Sequence, residues 1–247
     1  GARGGGEGFL GGGEGHHPAT RGILGTLGKH ADQGNGTPAT YAECFQWFIA
    51  PTDLGGNNPD VSKAPHVVNN SWGCDVLEGC TDPNVLRTVV ESLQAAGILV
   101  VVSAGNYGPN CTTVRYPAAI YDASLSVGAT DGASSIDALT SFSSRGPVTA
   151  DGSGRMKPDV VAPGYDVRSS EPGSYRRLSG TSMAGPHVTG AAALLMSARP
   201  ELIGNPDAIK RVLKRTAVRR QDLANCGSPA TIVPNNAYGW GRIDVKA

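Results

Sequence analysis

Two stretches of the 247-residue chain combine groups that could attack a carbonyl carbon with groups that could hold the resulting oxyanion. One is Gly180-Thr181-Ser182-Met183-Ala184-Gly185-Pro186-His187, the other Val102-Ser103-Ala104-Gly105-Asn106. The small, apolar residues after Gly185 read as a helix from Ser182 to about Ser197, which puts Ser182 at a helix N-terminus. Backbone N–H groups there have no intrahelical acceptor and the dipole is positive, so a developing negative charge is stabilised. Gly180 leaves space for a substrate backbone, and Pro186 falls in the first turn, where proline is tolerated. The side-chain amide of Asn106 offers a second donor to the same oxyanion.

These stretches have to be carried by something rigid. Ile98 to Val102 is a β-branched run of the kind found in a central parallel strand covered on both faces, and it delivers Ser103 to Asn106 at its carboxyl end. His66 to Asn69, Ala123 to Ala129 and Pro158 to Val161 read as further strands. Between them, Thr37 and Pro38 start a helix to about Ala50, with Tyr41, Phe45, Phe48 and Ile49 at helical spacing. Asp82 and Pro83 start another, with Val85, Leu86, Val89, Val90, Leu93 and Ala96 on one face and Gly97 as its stop. A last helix runs from Pro206 to about Ala217 behind Asn205, and its basic residues Lys210, Arg211, Lys214 and Arg215 read as a solvated face. The alternation predicts a doubly wound α/β domain, a mostly parallel sheet with helices on both faces, and chemistry at the carboxyl ends of the strands.

Composition excludes several classes. With 21 Lys+Arg against 21 Asp+Glu, the zero formal net charge argues against a nucleic-acid partner or a membrane-surface binder. The apolar runs Gly97 to Val102 and Gly190 to Met196 are far shorter than the roughly 18–20 residues that cross a bilayer. Of the 35 glycines, many crowd into Gly1 to Gly15, where Gly6-Glu7-Gly8-Phe9-Leu10-Gly11 matches a dinucleotide fingerprint only by glycine abundance. Five cysteines leave at least one thiol unpaired within the chain, and Cys74 with Cys80 is the best disulfide candidate, since the spacer suits a closed loop better than a zinc knuckle.

The stretch Gly180 to Gly190 resembles the nucleophile motif of the subtilisin-like serine peptidases, the peptidase S8 family. Asn69-Asn70-Ser71-Trp72-Gly73 resembles that family's substrate-binding strand edge, and Ser103 to Asn106 its oxyanion segment. Phe142 to Pro147, Lys157 to Gly164 and Gly239 to Asp244 extend the likeness over about residues 32–245. The resemblance implies a serine endopeptidase that hydrolyses peptide bonds through an acyl-enzyme on Ser182, with Asn106 in the oxyanion hole. It implies that Ser71, Trp72 and Gly73, with Ser103, Ala104 and Gly105, wall the pocket for the substrate side chain before the scissile bond. Trp72 would then give that wall an aromatic lining. Polypeptide substrates, no cofactor and an extracellular or cell-envelope location follow from the same likeness. Structural calcium occurs in the family, and no acidic loop with calcium spacing stands out here.

The resemblance also implies an Asp and then a His upstream of Thr37, and neither motif is present. The nearest trace is Leu24-Gly25-Thr26, preceded by Ala19 to Gly22 where the histidines are expected. The domain is accordingly expected to be N-terminally incomplete: a Gly-rich segment over residues 1–31 with no assigned element, then a partial subtilisin-like peptidase domain over 32–247. A late start, a shifted reading frame over the first segment and a non-catalytic relative stay open as origins. His187 cannot be the base, because five helical residues separate it from Ser182 by about 7.5 Å of rise and about 140° of rotation. His66 reads as a framework residue, and His16 and His17 are the stand-ins. Without a base a serine hydroxyl is a poor nucleophile. The alternative function is therefore a catalytically incomplete fragment or pseudoenzyme that retains a peptide-binding groove.

Overall fold

The computed structural model describes residues 22–23, 36–134, 136–221, 226–227 and 232–246. Five parallel strands lie side by side in chain order: β1 (Gly22–Ile23), β2 (Val67–Asn70), β3 (Leu99–Ser103), β4 (Ser124–Thr130) and β5 (Val160–Pro163). The two residues of β1 fall within the stretch to which the sequence assigns no element. Every residue of β2, β3 and β4 is buried, as a parallel sheet covered on both faces requires.

Alternate strand residues feed two cores. Val68, Val100 and Val102 pack with α1 (Pro38–Ile49) and α2 (Arg87–Ala95). Val67, Leu99 and Val101 pack on the other face with α3 (Thr181–Ala198) and α4 (Pro206–Thr216). Helices thus cover both faces, as expected, although the described strands show no reversal of order. The chain returns to the carboxyl ends of the strands because α3 begins there: Gly180 N–H donates to Gly164 O, just past β5, at 2.8 Å.

Local rules account for most boundaries. Thr37 caps α1 and exchanges side-chain bonds with Thr40, closing two of the orphan donors of the first turn. Asn205 caps α4 through Ala208 N–H at 3.0 Å. Helix α2 starts at Arg87 rather than near Asp82. The cause is distant in sequence: the Tyr121 hydroxyl donates to Pro83 O at 2.7 Å and lies 3.3 Å from Leu86 N, so residues 82–86 form turns instead. β5 begins two residues later than expected, since Asp159 directs both its backbone N–H and its carboxylate to Ser126.

Two of the four cations read as a solvated face on α4 point inward instead. Lys214 Nζ meets Asp159 Oδ1 at 2.7 Å, and buried Lys210 reaches Asp122 O at 3.1 Å and Asp207 at 2.9 Å. Asp159 itself is buried and also takes Lys157 Nζ at 2.6 Å. Burial pushes its carboxyl pKa up, but the Lys157 and Lys214 charges overcome this and hold it below the usual carboxylate range. An exposed hairpin that the sequence analysis leaves unassigned, β6 (Val167–Glu171) and β7 (Ser174–Leu178), links β5 to α3. Two disulfides are present, Cys74–Cys80 and Cys111–Cys226, and Cys44 is free. Among the described residues no helix is long and apolar enough to cross a membrane.

Candidate active site

Ser182 is the second residue of α3, partly exposed at the carboxyl ends of β2 and β3. Its hydroxyl donates to Ser71 O at 3.2 Å, and the Ser71 hydroxyl donates back to Ser182 O at 3.0 Å. This reciprocal pair fixes the helix start against the segment leaving β2. Asn69 braces it, donating from Nδ2 to Ser71 Oγ at 2.8 Å. On the other side of Asn69, its Oδ1 lies 2.6 Å from where a Cβ on Gly185 would stand. Any larger residue at Gly185 would push α3 away from β2, so the small residue is what lets Ser182 reach the strand end.

The Asn106 carboxamide is oriented from behind. Its Oδ1 accepts from Thr181 N–H at 2.8 Å and from Thr181 Oγ–H at 3.0 Å, while Thr181 Oγ1 accepts from Gly105 N–H at 3.2 Å. With Oδ1 occupied, Nδ2 is the group left to donate outward, and it lies 3.3 Å from the position of a Cβ on Gly180. Thr181 N–H is taken by Asn106 and Met183 N–H by Gly180 O. Ser182 N–H lies between them at a helix position that has no intrahelical acceptor. A substrate oxygen beside Gly180 would thus meet a side-chain amide and a backbone amide from two different elements.

The remaining residues expected at the site are placed as follows. Ser103 and Ala104 are buried beneath the cleft, and Gly105 is partly exposed. Trp72 turns its ring to α1, stacking on Tyr41 at a 4.2 Å centroid distance and tilting against Phe45 at 5.5 Å. The aromatic lining expected from Trp72 is thus directed at the core, and its neighbour Gly73 is exposed. His187 sits on the exposed face of α3 with Nδ1 2.9 Å from Met183 O. His66 precedes β2 at its amino end, about 16 Å of extended chain from Ser71. His16, His17 and His30 lie outside the described residues. Among the described residues no group of three or more His, Cys, Asp or Glu is placed to hold a metal.

Sequence reasoning missed the supporting residues: Thr181 as the clamp on Asn106, Asn69 as the post under Ser71, and Ser71 itself as the partner of Ser182. A signal was available in the change from apolar Val67-Val68 to polar Asn69-Asn70-Ser71, because polar groups leaving a fully buried strand need partners.

A family model described as the subtilase family, peptidase S8, matches residues 21–241. Bacillopeptidase F of Bacillus subtilis (strain 168) is 38% identical over 224 residues, which cover 87% of this chain and 14% of that protein. A subtilisin of Bacillus pumilus is 40% identical over 207 residues, 82% of this chain and 62% of that one. Among solved structures, an S41 psychrophilic protease superposes with a TM-score of 0.65 at 25% identity, covering 87% of this chain and 66% of that chain. The chain thus spans less than two thirds of each of these relatives.

Proposed function

The chain belongs to the subtilase family, and from that membership we propose that it is a serine endopeptidase domain with Ser182 as nucleophile. Ser182 Oγ attacks the carbonyl carbon of the scissile bond, and a general base takes the hydroxyl proton and passes it to the leaving amine. The carbonyl oxygen becomes the oxyanion, held by Asn106 Nδ2 and Ser182 N–H. Water then hydrolyses the acyl-enzyme. The observation that carries this reading is the Thr181 clamp, which holds Asn106 Oδ1 away from the cleft and leaves its donor beside Gly180.

The substrate is a polypeptide, laid as an extra strand along Ser71 to Gly73. His66 is at the wrong end of β2 and His187 bonds its own helix, so a histidine base in this chain has to come from His16, His17 or His30. The two disulfides support an extracellular or cell-envelope setting, where such bonds persist.

One observation favours a second reading. Among the described residues the acceptor for the Ser182 hydroxyl is a backbone carbonyl, which does not remove its proton. A pseudoenzyme that retains the peptide groove would look the same. Cleavage of a denatured protein substrate, compared between the chain and Ser182→Ala, separates the two. Cleavage lost in the variant supports the endopeptidase. No cleavage, with peptide binding equal in both proteins, establishes the groove alone.

A further inference from the structure

The two segments assigned above as pocket walls share a neighbour that no part of the catalytic reading uses. A Cβ on Gly73 would lie 3.4 Å from Tyr116 Cβ, and one on Gly105 would lie 3.2 Å from Tyr107 Cδ2. Each wall therefore has a tyrosine in van der Waals reach, with Ser144 Oγ also beside Gly105, 2.9 Å from that Cβ position. The two rings meet edge to face, with centroids 5.2 Å apart. Arg115 completes the cluster: its guanidinium carbon is 4.9 Å from the Tyr107 centroid and 5.1 Å from the Tyr116 centroid.

The cluster is close to the reacting atoms. Gly73 is two residues beyond Ser71, whose carbonyl accepts from Ser182 Oγ, and Tyr107 directly follows Asn106. Two residues of extended chain span about 7 Å. That is about the reach of the side chain of a substrate residue bound beside Ser182.

Arg115 is exposed, and among the described residues its contacts are with the two rings rather than with a carboxylate. The Asp75 carboxylate is directed to the backbone of its own turn, its Oδ1 accepting from Leu77 N–H at 2.8 Å and Glu78 N–H at 3.1 Å. A guanidinium held flat on aromatic faces keeps its edge donors free, is weakly hydrated and matches a carboxylate in a two-point contact.

We propose that Arg115, positioned by Tyr107 and Tyr116, makes the pocket select an acidic side chain, glutamate or aspartate, on the residue before the scissile bond. This rests on the reading of Ser71 to Gly73 and Ser103 to Gly105 as the pocket walls.

The test uses product-like peptides that end at the selecting residue, so that nothing is turned over: acetyl-Ala-Ala-Pro-Xaa with Xaa as Glu, Gln, Phe or Lys. Their dissociation constants are measured by calorimetry on the full chain and on Arg115→Gln, Arg115→Lys and Arg115→Glu. Circular dichroism of each variant checks that the exposed substitution leaves the fold intact. The Glu peptide should bind about tenfold more tightly than the Gln peptide at low salt, with the difference shrinking at high salt. Arg115→Gln should level the two, Arg115→Lys should keep a reduced preference, and Arg115→Glu should favour the Lys peptide.

Equal binding of the Glu and Gln peptides to the parent chain, or a preference that survives Arg115→Gln, overturns the assignment and leaves the groove standing. Failure of all four peptides to bind removes the groove reading and the assignment with it.

Discussion

Replacing Asp159 by alanine removes the carboxylate that two ammonium groups share inside the molecule. Lys157 Nζ stands 2.6 Å from one of its oxygens and Lys214 Nζ 2.7 Å from the other, with the Lys157 side chain only 1% exposed. Ser126 N–H donates to the same group at 2.7 Å. After the substitution Lys157 keeps Ser124 O, at 3.1 Å, as its partner, and its charge is buried without compensation. Removing one member of a buried pair costs about 3–5 kcal/mol, a large share of the roughly 5–15 kcal/mol that holds a domain together. Removing both, as in Lys157→Met with Asp159→Leu, eliminates the desolvation cost along with the attraction. That double variant should lie within about 2 kcal/mol of the parent, since Lys214 is 26% exposed and can turn to water, which leaves the orphaned Ser126 N–H as the main remaining cost.

Guanidinium unfolding followed by tryptophan fluorescence, with the disulfides intact, compares the parent chain, the single variant and the double variant. The sign of the pH dependence follows from the depressed pKa of Asp159, which burial raises and the two lysines lower further. The stabilisation is whole above the unfolded carboxylate value of about 4 and is lost as pH falls through the lower folded value. The gap between parent and Asp159→Ala should therefore be constant from neutral pH down to about pH 4 and narrow below it. A single variant as stable as the parent would refute this reasoning, and so would a double variant no better than the single one.

Asn106→Ala removes one of the two proposed oxyanion donors and should lower kcat of the proposed peptidase about 10²–10³-fold with little change in KM, the magnitude known for a subtilisin. Steady-state kinetics on a peptide substrate check it. Cys111–Cys226 joins positions 115 apart in sequence and Cys74–Cys80 positions six apart. On loop entropy their removal costs about 5 and about 2 kcal/mol respectively, so Cys111→Ser with Cys226→Ser should lower Tm more than Cys74→Ser with Cys80→Ser. Alkylation without reduction should modify Cys44 alone, and slowly, because burial and then the Glu43 charge push its thiol pKa up. Thr37→Ala opens the capping box of α1 and should cost about 1 kcal/mol by denaturant unfolding.

What could be read from sequence was set by near neighbours. The caps at Thr37 and Asn205, the β-branched run of β3 and the small-residue start of α3 all depend on residues within a turn or a strand of one another. The missed features depend on distant partners. The start of α2 is decided by the hydroxyl of Tyr121, 35 residues from Leu86, and the inward turn of Lys214 by Asp159 on another element. The β6–β7 hairpin escaped because its strands are exposed and carry little apolar alternation, leaving Pro172-Gly173 as its one turn signal. At the site, the placement of Ser182 at a helix start and of Asn106 just past a buried strand was legible because each depends on its own local element. The Thr181 clamp was not, because it exists only once the segment leaving β3 meets α3, nor was Arg115 over Tyr107 and Tyr116, a contact made only within the folded segment between β3 and β4.

Ser182 is proposed above as an activated nucleophile beside an oxyanion site. Incubating the chain with a fluorophosphonate and locating the adduct by peptide mass spectrometry tests it most directly, with Ser182→Ala as control. Modification at Ser182, absent from the control and slowed by a peptide ligand, is the predicted result. A chain left unmodified at Ser182, or label that persists in Ser182→Ala, would contradict it.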